Sequence, residues 1–312
     1  MSEGESSGGL SILFFGLPAG VSAAVLDGLV KAGLDVRAVV VPARAVPHLL
    51  PESQTACAYL NPHRTAALPL VGSGEPADTL GVAWAAGLPV LAGYDFAHPN
   101  TLAALVASAV DVAVVACFTE RLPTAALRVP RLGFLNLHPS LLPAYRGPTP
   151  VFWQLRDGAS TGVTVHYLDE GLDTGDIAMQ AAVPLPDGVS EAAAERSLML
   201  AGLDLLREVL ADLAGGVAQR RPQLPGGSYF GFPDAGDFTL SVDWSARRAY
   251  NFMCATAGRG IAYPVEINGR IERLAVADHY EAELELDRPS VRHGRNLVIR
   301  FNPGILYART AR

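Results

Sequence analysis

The chain is short of several things. Its three cysteines, Cys57, Cys117 and Cys254, are odd in number and far apart. They offer no disulfide framework and no metal-binding cluster, and they suit a reducing cytoplasm. The seven histidines never fall in a His-x-x-x-His spacing, so no metal site is expected. No run of 18 or more apolar residues occurs, which argues against a transmembrane helix and a membrane partner. The opening MSEGESSGG lacks the basic start and apolar core of a secretory signal and reads as a frayed tail. Lysine is nearly missing: Lys31 stands alone, and arginine carries every other fixed positive charge.

What is present is a normal to rather apolar globular composition, half of it hydrophobic, over 312 residues. That length allows two domains, or one with an appendage. The net charge of −7 is uneven: residues 1–235 sum to −9 and residues 236–312 to +2. An acidic body does not attract nucleic acid non-specifically, although the basic tail leaves room for a phosphate-rich partner.

LSILFFG (10–16), DVRAVVVP (35–42), LPVLAG (88–93), VDVAVVACF (110–118) and GFLNLH (133–138) read as buried strands. Helical spacing over 21–33 and 99–109 separates some of them, while 43–80 reads as irregular with one short helix. Continuous apolar strands alternating with helices predict an α/β, Rossmann-like, mostly parallel sheet. TGVTVHYLD (161–169) and DIAMQAAVPL (176–185) read as a hairpin around EGLDTG, and Ser190 caps a long helix over 191–214. A Pro/Gly linker, 217–235, then separates a main domain, 10–216, from a small β-barrel-like domain, 236–312. The latter should hold a helix near 245–257 and several short strands.

In such sheets chemistry sits beyond the carboxyl ends of the strands. Asn136 and His138 lie at such an end, and residues two apart on a strand share a face. The amide can donate to a developing oxyanion, and the imidazolium can donate or shuttle a proton. Asp173 or Asp176, in the turn EGLDTGD, could keep that imidazole charged. No serine or cysteine nucleophile has a usable motif. The set therefore points to direct transfer through a tetrahedral intermediate, although a strand-end Asn-x-His is more often a structural hydrogen-bonding pair.

FLNLHPSLLPAYRG (134–147) followed by TGVTVHYLDEGLDTGDI (161–177) closely resembles the folate-dependent formyltransferase family, most of all its methionyl-tRNA formyltransferases. FGLPAG (15–20) resembles the family's opening turn, with Leu17 where threonine is usual. CFTERLP (117–123) resembles a wall of its pteridine pocket, and the tail weakly resembles its C-terminal barrel. The resemblance implies a formyltransferase fold and an enzyme that takes the formyl group of 10-formyltetrahydrofolate to a primary amine. It implies Asn136, His138 and Asp173 as catalytic. It implies Ser140, Leu141, Leu142, Pro143, Phe118, Leu122, Asp169 and Gly171 around the folate.

The acceptor implied is initiator methionyl-tRNA or a small amine. Methionyl-tRNA enzymes carry a basic loop after the second strand; here residues 41–69 hold only Arg44 and Arg64 and no lysine. An amino-sugar nucleotide is therefore the rival acceptor, water would make the chain a hydrolase, and a folate binder without turnover is the remaining class. His166, seven residues before Asp173, reads either as a support for the site or as a plain cross-strand partner. Arg146 reads equally as an anion binder or a turn cap, and Cys117 as packing on a strand. Nothing in the sequence sets an oligomeric state.

Overall fold

A computed structural model describes residues 9–50, 56–61 and 78–311. Most of the expected tail, Arg64 and much of the irregular stretch lie outside the described residues. The chain forms two compact units. The first comprises Met1–His138, Val163–Ala181 and Met199–Pro225; the second comprises Pro139–Gly162, Ala182–Leu198 and Gly226–Arg312. This division differs from the contiguous one expected from sequence. Residues 139–162 and 182–198 group with the C-terminal part, through contacts that local patterning does not record.

The first unit is built on strands β1 (Ser11–Gly16), β2 (Asp35–Pro42), β3 (Cys57–Tyr59), β4 (Val90–Gly93), β5 (Val112–Ala116), β6 (Phe134–His138), β7 (Gly162–Tyr167) and β8 (Ile177–Ala182). Their order in the sheet is β3-β4-β2-β1-β5-β6-β7-β8. β1, β4 and β5 are buried throughout because both faces are covered, so they read as unbroken apolar runs rather than alternating ones. β1 pairs in parallel with β2 and with β5, and β5 with β6. β3, which sequence reading missed, is antiparallel to β4, and β7 is antiparallel to β6. Tyr167 N–H donates to the Asp176 carbonyl and Val183 N–H to the Thr161 carbonyl, so β7 and β8 form the expected hairpin.

Chain order reverses direction across β1 and β5, the kind of switch point where open α/β sheets carry their sites. Helix α1 (Val21–Lys31) starts there. Ser22 at its head accepts from Leu17 N–H and donates to the Ala116 carbonyl at 2.7 Å, tying the FGLPAG turn to the end of β5. Helices α2 (Thr79–Ala85), α3 (Pro99–Ala107) and α4 (Thr124–Leu127) follow the same pattern, and α2 and α4 had not been expected. The cores hold β1 side chains on both faces: Ile12 and Phe14 in one cluster, Leu13 and Phe15 in the other.

In the second unit, helix α5 (Pro150–Asp157) starts with proline and ends at Gly158, whose φ of 64° is the left-handed cap that glycine favours. Phe152 on α5 packs edge-on to Phe252 of helix α7 (Ala246–Thr256). Long helix α6 (Glu191–Ala214) begins after Ser190, whose hydroxyl accepts from Ala193 N–H as expected. The small β-rich part is a five-stranded sheet of β9 (Tyr263–Ile267), β10 (Arg270–Glu281), β11 (Ser290–His293), β12 (Asn296–Arg300) and β13 (Ile305–Thr310), ordered β11-β12-β13-β10-β9. The pairings between its strands are all antiparallel.

Candidate active site

Asn136 and His138 stand on β6 at its carboxyl end, as the sequence predicts. The antiparallel register sets Asn136 opposite His166 and His138 opposite Thr164. Asn136 Nδ2 lies 3.0 Å from His166 Nε2, and His166 Nδ1 lies 2.9 Å from the Tyr167 carbonyl. A carbonyl only accepts, so Nδ1 carries the proton, and in the neutral ring Nε2 accepts from the Asn136 amide. The His166 ring is completely buried. His138 is also buried, with its ring 6.2 Å from that of His166 and nearly perpendicular.

The third group arrives on the loop between β7 and β8. One oxygen of Asp173, Oδ1, stands 3.6 Å from His138 Nδ1 and 3.6 Å from His166 Nε2. Both distances suit ion pairing rather than a short hydrogen bond. Asp173 takes a positive φ of 55°, uncommon outside glycine although aspartate and asparagine enter it more readily than other residues, and the surrounding loop holds it there. Asp169 does much of this: its Oδ1 accepts from Gly171 N–H and from the Thr174 hydroxyl at 2.7 Å. Gly175 packs onto the Tyr167 carbonyl, which a Cβ there would overlap at 1.9 Å. Gln223 Nε2 donates to the carbonyls of Asp173 and Gly175.

The segment following β5 clasps the same loop. Arg121 donates to the Glu170 carbonyl at 2.6 Å, and the Thr124 hydroxyl donates to the Glu170 carboxylate at 2.7 Å. Arg121, Leu122, Pro123, Thr124 and Glu170 line a cavity of about 310 Å³. Phe118 packs edge-on to Phe15 at 5.3 Å and to Phe96 at 5.5 Å, and Leu122 sits in the same cluster. Phe118 and Leu122 are thus anchored in the core, while the cavity beside Leu122 carries the polar side chains of Arg121, Thr124 and Glu170. Cavities of about 590 and 470 Å³ lie in the second unit, but none of the sequence-predicted site residues lines them, so chemistry favours the smaller one.

Asp169 and Gly171 serve the shape of the loop. Cys117 lies just past β5 with a φ of 56°, not on the strand. Ser140, Leu141, Leu142 and Pro143 belong to the second unit. There Ser140 is buried and donates to the Ala144 carbonyl at 2.7 Å, and the Leu142–Pro143 peptide is cis. Arg146 pairs through its backbone with Ser228 and Phe230. Nearby, burial pushes the Tyr145 hydroxyl up to about 12, helped by the Asp157 carboxylate it faces at 3.1 Å. Sequence reading took Arg121 only as part of the 117–123 segment and passed over Thr124 and Gln223, because nothing local marks a side chain that reaches a distant loop.

The family model for formyl transferase matches residues 93–210. Those residues are similar to formyl transferase domains. Methionyl-tRNA formyltransferase of Chloroflexus aggregans is 46% identical over 142 residues, which are 45% of this chain and 46% of that protein. The chain thus spans about half the length of the curated relatives it matches. Among solved structures, the sugar 3N-formyl transferase WlaRD, crystallised with dTDP and 5-N-formyl-THF, superposes with a TM-score of 0.64 at 13% identity. The match covers 96% of this chain and 97% of WlaRD. The Helicobacter canadensis N-formyltransferase, in complex with folinic acid and dTDP-3-aminofucose, gives 0.62 at 13% identity, covering 96% and 99%. At such identities the likeness shows a shared fold. Among the described residues no helix is long and apolar enough to cross a membrane.

Proposed function

We infer that the chain is an enzyme that transfers the formyl group of 10-formyltetrahydrofolate to a primary amine, in the manner of methionyl-tRNA formyltransferases. The observation that carries this is the meeting of Asn136, His166, His138 and Asp173 at the carboxyl end of β6, inside the residues that match the family. The folate supplies an activated formyl carbonyl. Asn136 uses its second amide N–H to hold the oxygen as negative charge develops on it. His138, kept charged by Asp173, donates to the same oxygen. Asp173 takes the proton that leaves the attacking amine and passes it to N10 of the folate as the bond from the formyl carbon to N10 breaks, which releases tetrahydrofolate and the formylated amine. Phe118 and Leu122 give the pterin an apolar wall.

Initiator methionyl-tRNA is the acceptor that the sequence relatives favour. An amino-sugar nucleotide is the second reading, favoured by the charge of −9 on residues 1–235 and by the absence of lysine from 41–69. The experiment measures tetrahydrofolate release at two salt concentrations with initiator methionyl-tRNA, with an amino-sugar nucleotide, and with no acceptor. Release that needs the tRNA and weakens with salt is expected for the first reading, since phosphate contacts release counterions. Release with the sugar alone moves the acceptor to a small amine, and release in the blank means hydrolysis. No release under any condition sinks the enzymatic reading.

A further inference from the structure

The segment that sequence reading treats as a linker does more than connect. After α6 the chain returns to the root of the Asp173 loop. Arg221 and Ile177 exchange backbone hydrogen bonds at 2.8 and 2.9 Å, which adds a rung beside the first residue of β8. One residue earlier, the Arg220 guanidinium lies 3.5 Å over the ring of Tyr167, the last residue of β7. Two residues later, Gln223 is half-buried among exposed neighbours, and its Nε2 donates at 2.8 Å to each of the Asp173 and Gly175 carbonyls. One short stretch thus grips the strand before the loop, the strand after it and the loop itself.

We propose that Gln223 is a positioning residue for Asp173. A left-handed backbone at a residue with a Cβ persists only where its surroundings over-determine it. The two carbonyls that Gln223 ties together flank Thr174, so they fix the turn from which the Asp173 carboxylate projects. Without them the loop keeps its internal Asp169 bonds but loses its outer anchor, and the carboxylate no longer stays at equal distances from the two imidazoles. This inference rests on the catalytic reading of Asp173 given above.

The test uses the full chain with Gln223→Met, which keeps length and removes both donors, and Gln223→Glu, which sets a carboxylate against two carbonyls. Backbone hydrogen exchange over 169–176 is measured beside kcat for tetrahydrofolate release, with the acceptor that serves the wild type. Expected are exchange faster by about tenfold in that loop, a kcat lower by about tenfold, and no further kcat loss when Gln223→Met is added to Asp173→Ala. Unchanged loop exchange overturns the proposal. So does a kcat loss of the same size in the Asp173→Ala background, because Gln223 would then act on something else. If the wild type releases no tetrahydrofolate with any acceptor, the catalytic reading fails by itself, and the exchange measurement alone decides whether Gln223 holds the loop.

Discussion

Replacing His166 with phenylalanine removes two hydrogen bonds and adds only a little volume. The ring is buried, bonded to the Tyr167 carbonyl through Nδ1 and to the Asn136 amide through Nε2. Leaving a buried polar group short of a partner costs about 1–3 kcal/mol, so with two such groups the variant should lose about 2–6 kcal/mol of stability. The kinetic effect is separate. Deleting an oxyanion donor outright costs about 10²–10³ in kcat, whereas here the Asn136 amide stays but is free to turn. We expect kcat to fall about ten- to a hundredfold, with KM for the folate changed less than about threefold. His166→Gln, whose amide oxygen can accept from Asn136, should recover most of kcat. The assay is tetrahydrofolate release under saturating acceptor, with thermal melts on the same samples. If His166→Phe melts lower yet keeps its kcat, the imidazole is only a packing and pairing residue, and the argument from the Asn136 amide is refuted.

Other consequences are more quickly stated. Asp173→Asn should lose turnover by about a hundredfold or more while folate binding, followed by equilibrium titration, is largely kept; turnover at wild-type level would remove Asp173 from the chemistry. Gly175→Ala forces a Cβ into the Tyr167 carbonyl and should destabilise the loop by about 1–3 kcal/mol, read as faster proteolysis or exchange over 169–176. The Asp111 carboxyl is held below its ordinary value chiefly by the Ser11 backbone N–H, with the Ser11 hydroxyl and Arg131 adding to it against the cost of burial. A depressed carboxyl stabilises above its unfolded value and loses that contribution as pH falls through the folded one. The stability difference between wild type and Asp111→Asn in denaturant titrations should therefore shrink below about pH 4. Asp187 is lowered too: burial opposes its charge, but bonds from Tyr280, Asn251 and Arg247 outweigh that. Asp187→Ala should thus lower the melting temperature at neutral pH and matter much less in acid.

The strand-end pair was legible because strand periodicity is local: two residues apart means one face, wherever the strand goes. The helix after Ser190 was legible for the same reason, since its cap and its glycine stop lie within the segment. His166 was visible as a residue on a strand, but its meaning depends on the register that sets it opposite Asn136, and register belongs to the pair of strands. The short α5 carried signals that could have been used, namely proline at its start and glycine at its end. β3 spans three residues on a sheet edge and has no periodicity to read. The grouping of 139–162 and 182–198 with the C-terminal part had no signal at all, because it rests on burial of side chains such as Phe152 and Trp153 among residues a hundred positions away.

The two histidines differ in chemistry because their second nitrogens differ in surroundings. His166 has both ring nitrogens committed within the fold, one to a carbonyl and the other to an amide nitrogen. Protonating it at Nε2 would turn a proton toward the Asn136 donor and drive that amide to flip, exchanging an oxyanion donor for an acceptor. Asp173 stands equally far from both rings, 3.6 Å from His138 Nδ1 and 3.6 Å from His166 Nε2. On the proposed reading, one carboxylate faces two imidazoles with different tasks: His138 donates to the substrate oxygen, and His166 keeps Asn136 turned toward the substrate. Environment divides similar groups between unlike roles here: the bonds that each ring nitrogen makes, not the ring itself, set the task.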